Sequence, residues 1–89
     1  MTTGGPHAVY VLRCADDTLY TGYTTDVERR VAEHAREEGA AYTRGRTPVD
    51  LVHVERFETR SAAMSREAAI KALSRPEKEA LVSGPSEGF

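Results

Sequence analysis

The chain has 89 residues, with 12 Lys and Arg against 14 Asp and Glu, which gives a formal net charge of −2 at pH 7. This length fits one small domain, and the charge balance excludes a protein that coats nucleic acid through net charge, although a local basic patch is still compatible with it. The single Cys excludes an internal disulfide, and the three His residues have no ligand spacing, which argues against a structural zinc site.

The sequence has no segment typical of membrane insertion or secretion. No apolar run approaches the ~18 residues of a membrane span, and the first residues lack the basic flank and apolar stretch of a secretory signal. We therefore expect a cytoplasmic protein with a disordered leader over 1–7, a single domain over 8–82 and a flexible tail over 83–89.

The first two predicted elements form a β-hairpin. β-Branched and aromatic residues over 8–14 and 19–23 indicate two strands, and the residues between them favour a turn in which Asp17 adopts a left-handed conformation. Side chains alternate along a strand. Tyr10 and Tyr20 can therefore share one face of the sheet only if this turn has an odd number of residues.

The next segment predicts a helix. Thr25 followed by Glu28 fits a capping box, and the helix is expected to run from Asp26 to Glu38 and to end at Gly39. Its apolar stripe is thin, so the helix depends on docking to a sheet. The stripe consists of Val27, Val31 and Ala35, with Ala32 beside it.

The second half of the chain predicts a strand and two helices. A loop over 39–48 precedes a strand over 49–57, and Ser61 and Ser74 can cap helices over 62–73 and 75–82. The order β-β-α-β-α-α favours an α+β domain with a short antiparallel or mixed sheet flanked by helices. The apolar face of the helix over 62–73 consists of Ala62, Ala63, Ala69, Ile70 and Leu73.

Polar residues in these elements can form an anion-binding site. Arg30 and His34 lie one helical turn apart, at the margin of the docked face and beside the hairpin tyrosines. The tyrosines can also serve packing alone. On a solvated helix face, Arg30 would instead pair with Asp26 or Glu33, and His34 would contact water.

Glu67 lies on an apolar flank of its helix, between Met64 and Ile70. A carboxylate in such a position is rare unless it is paired or coordinates a metal, and an ion pair with Lys71 is the alternative to a metal. Phosphodiester hydrolysis needs a base for water, positive charge against the developing phosphorane, a route for the leaving-group proton and usually Mg²⁺. Tyrosine, arginine, histidine and one carboxylate can meet these needs together.

These residues resemble the GIY-YIG nuclease domain. Within that family the chain is similar to the small stand-alone UPF0213 or YhbQ-like proteins, which are similar to the nuclease domain of the eukaryotic subunit Slx1. The similarity covers residues 7–82. The residues that carry it are Ala8-Val9-Tyr10, Tyr20-Thr21-Gly22, Arg30, His34 and Glu67.

The resemblance implies a fold and an activity. The fold is a three-stranded antiparallel sheet flanked by about three helices. The activity is that of a metal-dependent endonuclease that cuts DNA at branched or damaged sites, with a role in DNA repair. Larger members of the family take site selection from an added DNA-binding domain, so a protein partner could supply specificity to this chain.

The resemblance also implies a role for each site residue. Tyr10 and Tyr20 are the two motif tyrosines, and Tyr20 is more often argued to be the general base. Arg30 contacts the scissile phosphate, and His34 matches a polar residue of the same helix. Glu67 is the sole carboxylate that binds Mg²⁺ or Mn²⁺.

Two other functions fit parts of the sequence. A non-catalytic nucleic-acid-binding module would use Tyr42, Arg44 and Arg46, which offer a stacking ring and two phosphate-binding side chains, although this loop can also be a solvated turn. A protein–protein module would present an apolar patch around residues 80–82, which can also close the core. Cys14 and His53 are interpreted as structural strand residues.

Overall fold

The computed structural model describes residues 5–36 and 45–83, which form an α+β domain. A three-stranded antiparallel sheet has the strand order β2-β1-β3, so β1 is central and β2 and β3 are the edge strands. This architecture confirms the expected fold class. The elements are β1 (His7–Cys14), β2 (Leu19–Thr24), α1 (Val27–Ala35), β3 (Val49–Phe57), α2 (Arg60–Lys71) and α3 (Arg75–Ser83).

The turn between β1 and β2 consists of residues 15–17. The backbone N–H of Cys14 donates to the Thr18 carbonyl at 2.9 Å, and Asp17 has a φ of 69°, the left-handed conformation expected of it. This odd turn pairs Tyr10 with Gly22 and places Tyr20 opposite Leu12. The even-numbered residues of both strands therefore share one face, so the condition for the two tyrosines to lie together is met.

The two faces of the β1–β2 hairpin are covered by different helices. The α1 face comprises the even-numbered residues of both strands and α1, because His34 contacts the rings of Tyr10 and Tyr20. The α2 face comprises the odd-numbered residues, α2 and α3. Its core is Val9, Val11, Ala63 and Ile70, against which Leu19, Tyr23, Val52, Phe57, Leu73, Leu81 and Val82 pack.

The predicted starts of two helices were wrong. Asp26, not Thr25, caps α1, because its side chain accepts from the Arg29 backbone N–H at 3.1 Å. Thr59, not Ser61, caps α2 by accepting from the Ala62 N–H at 3.1 Å. At α1 a residue later than predicted, and at α2 a residue earlier than predicted, accepts a hydrogen bond from a backbone N–H that has no partner within the helix.

The start of α3 is confirmed, whereas the end of α1 was wrong. The Ser74 backbone N–H donates to the Glu77 carboxylate at 2.9 Å, and the Glu77 backbone N–H donates to the Ser74 hydroxyl at 3.3 Å, as in a capping box. α1 ends at Ala35 with Arg36 as its C-cap, before the predicted end at Glu38. β1 begins at His7, which was placed in the leader, and α3 ends one residue later than predicted.

The buried sides of the helices also differ in part from the prediction. In α1, Ala35 is exposed and His34 is buried, because the docked side follows residues 27, 31 and 34. In α2, Ala62 and Ala69 are exposed, whereas Ala63 and Ile70, seven residues apart, are buried.

The apolar end of α3 is part of the core. Leu81 and Val82 pack against the core cluster, which confirms that these two residues close the core and argues against an apolar patch of a protein–protein module at their positions. None of the helices within residues 5–36 and 45–83 combines the length and the apolar character needed to cross a membrane.

Candidate active site

Three rings meet on the α1 face. Tyr10 is 1% exposed and His34 is 0% exposed, and the Tyr10 hydroxyl and His34 Nε2 share a hydrogen bond of 2.9 Å. The centroid of the Tyr20 ring lies 6.2 Å from that of Tyr10 and 5.2 Å from that of His34. β1, β2 and α1 each contribute one ring to this group, which we call the Tyr–His–Tyr cluster. The alternative in which His34 contacts water on a solvated face is excluded.

Gly22 leaves the space that the Tyr10 ring occupies. It is the cross-strand partner of Tyr10, and a Cβ built on it would stand 2.4 Å from the Tyr10 hydroxyl oxygen and 2.5 Å from Cζ. A side chain at this position would displace the ring. The glycine of the second motif therefore lets Tyr10 lie across β2 toward the edge of the sheet.

Burial controls the protonation states of Tyr10 and His34. It raises the pKa of Tyr10 to about 12, although the nearby Arg30 guanidinium acts in the opposite direction. Burial, reinforced by the positive charge of Arg30, also lowers the pKa of His34. At neutral pH the cluster therefore holds a neutral Tyr10 phenol and a neutral imidazole, and Tyr10 is a poor proton acceptor.

Arg30 lies between the Tyr–His–Tyr cluster and solvent. Its side chain is 31% exposed, and Nη1 donates to a carboxylate oxygen of Glu33 at 2.9 Å. This bond holds the pKa of Glu33 below its usual range. Arg29 is 76% exposed, as expected of a surface residue. Arg30 also lines an open groove at the start of α1, together with Thr24, Thr25, Asp26, Arg29 and Glu33.

Glu67 is a largely buried carboxylate on α2. Its side chain is 13% exposed, and one oxygen lies 3.3 Å from Nζ of Lys71, which is 55% exposed. The low exposure of Glu67 agrees with the predicted apolar flank of its helix, and the predicted ion pair with Lys71 is also present. In the part of the chain that the structure describes, Glu67 forms no hydrogen bond or ion pair with the Tyr–His–Tyr cluster.

The contacts of α2 show on which side of the helix Glu67 lies. The Arg60 guanidinium lies over the ring of Tyr23 in β2, whereas Arg66 donates to Glu55 in β3. Residues seven apart share one side of a helix. Glu67 therefore lies on the same side as Arg60, toward the edge strand β2.

The order of the elements sets the direction of α2 relative to β2. β2 and β3 point in the same direction, and α2 follows β3, so α2 runs back along the sheet from Tyr23. The two helical turns from Arg60 to Glu67 advance about 10 Å, and the three strand residues from Tyr23 back to Tyr20 span a similar distance. Glu67 and Tyr20 flank the same edge strand from opposite faces.

The side chains of the candidate site fit a cation that is bound mainly by water and substrate and has few protein ligands. Within residues 5–36 and 45–83, no group of three or more His, Cys, Asp or Glu side chains could hold an ion. Mg²⁺ usually keeps several waters and is bound through one or two carboxylates and phosphate oxygens. Glu67 offers one such carboxylate, so the donor set matches this kind of site and not a cage made of protein ligands alone.

One of the three predicted nucleic-acid-binding residues can be placed. Tyr42 and Arg44 lie outside the described residues. Arg46 forms an ion pair with Asp16 of the hairpin turn, and its carbonyl accepts from the Ala15 N–H at 2.8 Å. The segment before β3 is thereby attached to the β1–β2 turn.

The other two strand residues are placed as expected. His53 is 8% exposed and its Nε2 lies 2.7 Å from Glu55. Cys14 is a free, buried cysteine. Both therefore contribute to the interior of the sheet.

Sequence reasoning missed a group of polar residues on the α2 face. His7 Nδ1 and the Tyr23 hydroxyl share a hydrogen bond of 2.7 Å, and the Arg60 guanidinium carbon lies 5.7 Å from the centroid of the Tyr23 ring. The available signal was the seven-residue spacing between Arg60 and Glu67, which places both on one side of a helix.

A comparison with known proteins assigns the family. Residues 6–80 match the GIY-YIG catalytic domain. The chain belongs to the GIY-YIG family. This is a nuclease superfamily, and the two tyrosines that the resemblance matches to its motifs are the ones that meet in the Tyr–His–Tyr cluster.

Within the GIY-YIG family, the chain belongs to the small stand-alone UPF0213 proteins. Over 76 residues it is 74% identical to a UPF0213 protein of Natronomonas pharaonis, and the aligned region covers 85% of this chain and 89% of that relative. It is 49% identical over 83 residues to a UPF0213 protein of Listeria innocua, with coverage of 93% and 92%.

Two solution NMR structures share the GIY-YIG fold seen here. A UPF0213 protein from Bacillus halodurans has a TM-score of 0.60 at 50% identity, covering 92% of this chain and 87% of that one. A protein from E. faecalis has a TM-score of 0.61 at 47% identity, with coverage of 93% and 88%. The three-stranded α+β architecture is therefore shared with both proteins.

Proposed function

We propose that this GIY-YIG protein is a metal-dependent endonuclease that hydrolyses DNA phosphodiester bonds, at branched or damaged sites and in DNA repair. The observation that carries the proposal is the Tyr–His–Tyr cluster with Arg30 beside it. It places a phenol, a neutral imidazole and a guanidinium around one edge strand. Burying such polar groups costs stability unless they are paired, so their assembly at a surface-connected position supports a catalytic role.

Tyr20 is the residue proposed to take the proton of the attacking water. The Tyr10 phenol is buried and has its pKa raised to about 12, which makes it the weaker candidate for proton transfer at neutral pH. Tyr20 is half-buried on the edge strand and can reach a substrate. The step balances if the Tyr20 hydroxyl passes its own proton to the neutral imidazole of His34, 5.2 Å away between ring centroids, as its oxygen takes the proton of the water.

Arg30 is proposed to contact the scissile phosphate. A planar guanidinium can bind two phosphate oxygens at once and offset the negative charge that develops during hydrolysis. In the free protein one of its N–H groups is bound to Glu33, so phosphate binding exchanges that carboxylate for a substrate oxygen. Tyr10 holds His34 in position and packs against Gly22.

Glu67 is proposed to hold the divalent cation, Mg²⁺ or Mn²⁺. The ion would supply positive charge against the developing phosphorane. Glu67 lies 3.3 Å from Nζ of the half-exposed Lys71, so cation binding would exchange this single ion pair for the interaction with a divalent charge. In this proposal a DNA strand lies along the edge strand β2, with Tyr20 on the α1 side and Glu67 on the α2 side of that strand.

The decisive experiment compares Glu67→Ala with Glu58→Ala, an exposed carboxylate in the turn before α2. Purified proteins are incubated with flap, splayed and duplex DNA, with and without Mg²⁺. We expect Glu67→Ala to abolish metal-dependent cleavage and to keep the circular dichroism spectrum of the unmodified protein, and Glu58→Ala to cut normally. Undiminished cleavage by Glu67→Ala would rule out the proposed function.

Arg30→Ala tests the phosphate contact, with Arg29→Ala as the control of equal charge on the same helix. We expect Arg30→Ala to lower the cleavage rate on the order of 10²- to 10³-fold, as removal of one transition-state donor does in other enzymes. Arg29 is 76% exposed, so its removal should change the rate little. DNA binding that is unaffected by metal, without any cleavage, would instead support the non-catalytic module. Cleavage that needs an added protein would indicate a partner that supplies specificity.

A further inference from the structure

A second group of polar residues lies on the α2 face, at the end of β2. It consists of His7, Tyr23 and Arg60. The imidazole of His7 stacks on the Tyr23 ring at 6.0 Å between centroids, with an angle of 15° between planes, and bonds to its hydroxyl at 2.7 Å. The Arg60 guanidinium lies over the same ring at 5.7 Å. The proposed nuclease mechanism uses none of these three residues.

Arg60 differs from most of the cationic residues described. The other arginines of the helices and of the hairpin pair with carboxylates, as Arg13 does with Glu79 and Arg66 with Glu55. Within residues 5–36 and 45–83, Arg60 is exposed and forms no ion pair, and its guanidinium contacts the face of the Tyr23 ring. A guanidinium that lies over an aromatic ring keeps its N–H donors, which point outward in the plane of the group, available to an anion.

The position of Arg60 relative to the proposed site suggests which anion it binds. Arg60 and Glu67 lie on one side of α2, about 10 Å apart along the helix axis, and Tyr23 and Tyr20 span the same distance along the edge strand β2. A DNA strand that follows β2 past Tyr20 and Glu67 would therefore pass Arg60. Its backbone carries a negative charge at every nucleotide.

We propose that Arg60, held by Tyr23 and His7, binds a phosphate that flanks the scissile bond on the cut strand. The inference rests on the proposed function, because it takes the direction of the strand from Tyr20 and Glu67. Arg60 would act as a substrate-positioning residue that contacts DNA away from the reacting atoms. Tyr23 would fix the guanidinium, and the bond to His7 would fix the Tyr23 ring.

The test measures binding without cleavage. A splayed DNA oligonucleotide is titrated in EDTA at several salt concentrations, with the unmodified protein, Arg60→Ala and Arg56→Ala. Arg56 is a matched control, because it is an exposed arginine on β3, the opposite edge strand. For Arg60→Ala we expect the slope of log K against log salt concentration to fall by about 0.7 to 0.9, the change for one lost phosphate contact. Arg56→Ala should keep the slope.

Kinetics with Mg²⁺ separate this inference from the proposed function. Arg60→Ala should raise KM on the order of fivefold and leave kcat unchanged, because a flanking phosphate contact is made equally in the ground state and the transition state. Tyr23→Leu should reproduce this effect, and Tyr23→Phe, which keeps the ring, should have a smaller one. An unchanged salt slope and KM for Arg60→Ala, or an equal loss for Arg56→Ala, would overturn the inference while cleavage by the unmodified protein stands. Absence of cleavage by the unmodified protein would count against the nuclease function itself.

Discussion

The two faces of the hairpin use the central strand in opposite ways. On the α2 face, Val9 and Val11 pack against Ala63 and Ile70 of α2 in an apolar core. On the α1 face, Tyr10 of the same strand is equally buried but bonds to His34. β1 is buried on both sides. The α2 side packs into the apolar cluster, whereas the α1 side combines apolar residues such as Ala8 and Leu12 with the polar pair of the site.

This difference separates the sources of stability and of chemistry. Apolar burial contributes roughly 25 cal/mol per Å² to folding, whereas a buried polar pair contributes little net stability and costs more when one partner is removed. The α2 face holds the apolar cluster of Val9, Val11, Ala63 and Ile70, and the α1 face adds buried apolar residues such as Leu12 and Val27. The α1 face keeps polar groups that the fold alone does not require. Substitutions on the two faces should change different measurements.

The largest expected effect concerns the two tyrosines of the α1 face. Tyr20→Phe should lower the cleavage rate on the order of 10²- to 10⁴-fold, the usual contribution of a proton-transfer group. Tyr10→Phe should lower it less, because its phenol is buried with a pKa of about 12 and is not the better proton acceptor. Single-turnover rates with saturating Mg²⁺ measure both.

The stability of the same two variants serves as the control. Tyr10→Phe removes the partner of buried His34 Nε2 and should cost about 1–3 kcal/mol of unfolding free energy in urea, whereas Tyr20→Phe should cost less. If Tyr10→Phe proves to be the slower enzyme after correction for folded fraction, the roles of the tyrosines are exchanged.

The counterpart on the α2 face is Ile70→Ala. Ile70 is 0% exposed and belongs to the apolar core, so truncation should lower the unfolding free energy by about 2–5 kcal/mol through lost burial and a cavity. Cleavage per folded molecule should stay the same, because Ile70 contacts none of the site rings. A loss of activity in fully folded Ile70→Ala protein would show that the two faces are coupled.

A smaller effect is expected from one added methyl group at Gly22. Gly22→Ala places a Cβ 2.4 Å from the Tyr10 hydroxyl oxygen, and such overpacking costs about 1–3 kcal/mol and should displace Tyr10 from His34. Gly45→Ala is the control. Gly45 has a φ of +73° and open space around its Cα, so that variant should lose stability by backbone strain but keep its cleavage rate. Equal activities of the two variants would contradict the steric role of Gly22.

The sequence was sufficient to predict the order of elements and the start of α3. Those features depend on local patterns: alternation along β1 and β2 and the Ser74–Glu77 capping box. The sequence left open the length of the β1–β2 turn, which decides whether the two tyrosines share a face. The caps of α1 and α2 were wrong because several neighbouring Ser, Thr and Asp residues can serve equally well, and tertiary packing decides which one does.

The site was predictable in its residues but not in its environment. The spacing of Arg30 and His34 identified both residues, yet the full burial of His34 depends on how α1 docks over Tyr10 and Tyr20. The side of α2 that faces β2 depends on the contact between Arg60 and Tyr23, which are distant in sequence. Such long-range contacts leave no periodic signal in a single sequence.

The smallest effect tests the burial of His34 through pH. Burial and the charge of Arg30 lower the pKa of His34 in the folded protein, so the unfolded chain binds a proton more readily once the pH falls below about 6.5. The stability contributed by neutral His34 is thus present above that pH and is lost as the medium becomes more acidic. For one proton the slope is at most about 1.4 kcal/mol per pH unit.

His34→Gln isolates this contribution, because glutamine can bond to the Tyr10 hydroxyl and does not titrate. The unmodified protein should lose more thermal stability between pH 7 and pH 5 than His34→Gln, while the remaining titratable groups are common to both proteins. The difference between the two slopes therefore reports on His34 alone. Parallel curves would mean that His34 binds protons equally in the folded and unfolded states. That result would be incompatible with an imidazole that is shielded from water on the α1 face. It would also remove the main physical distinction between the two sides of β1.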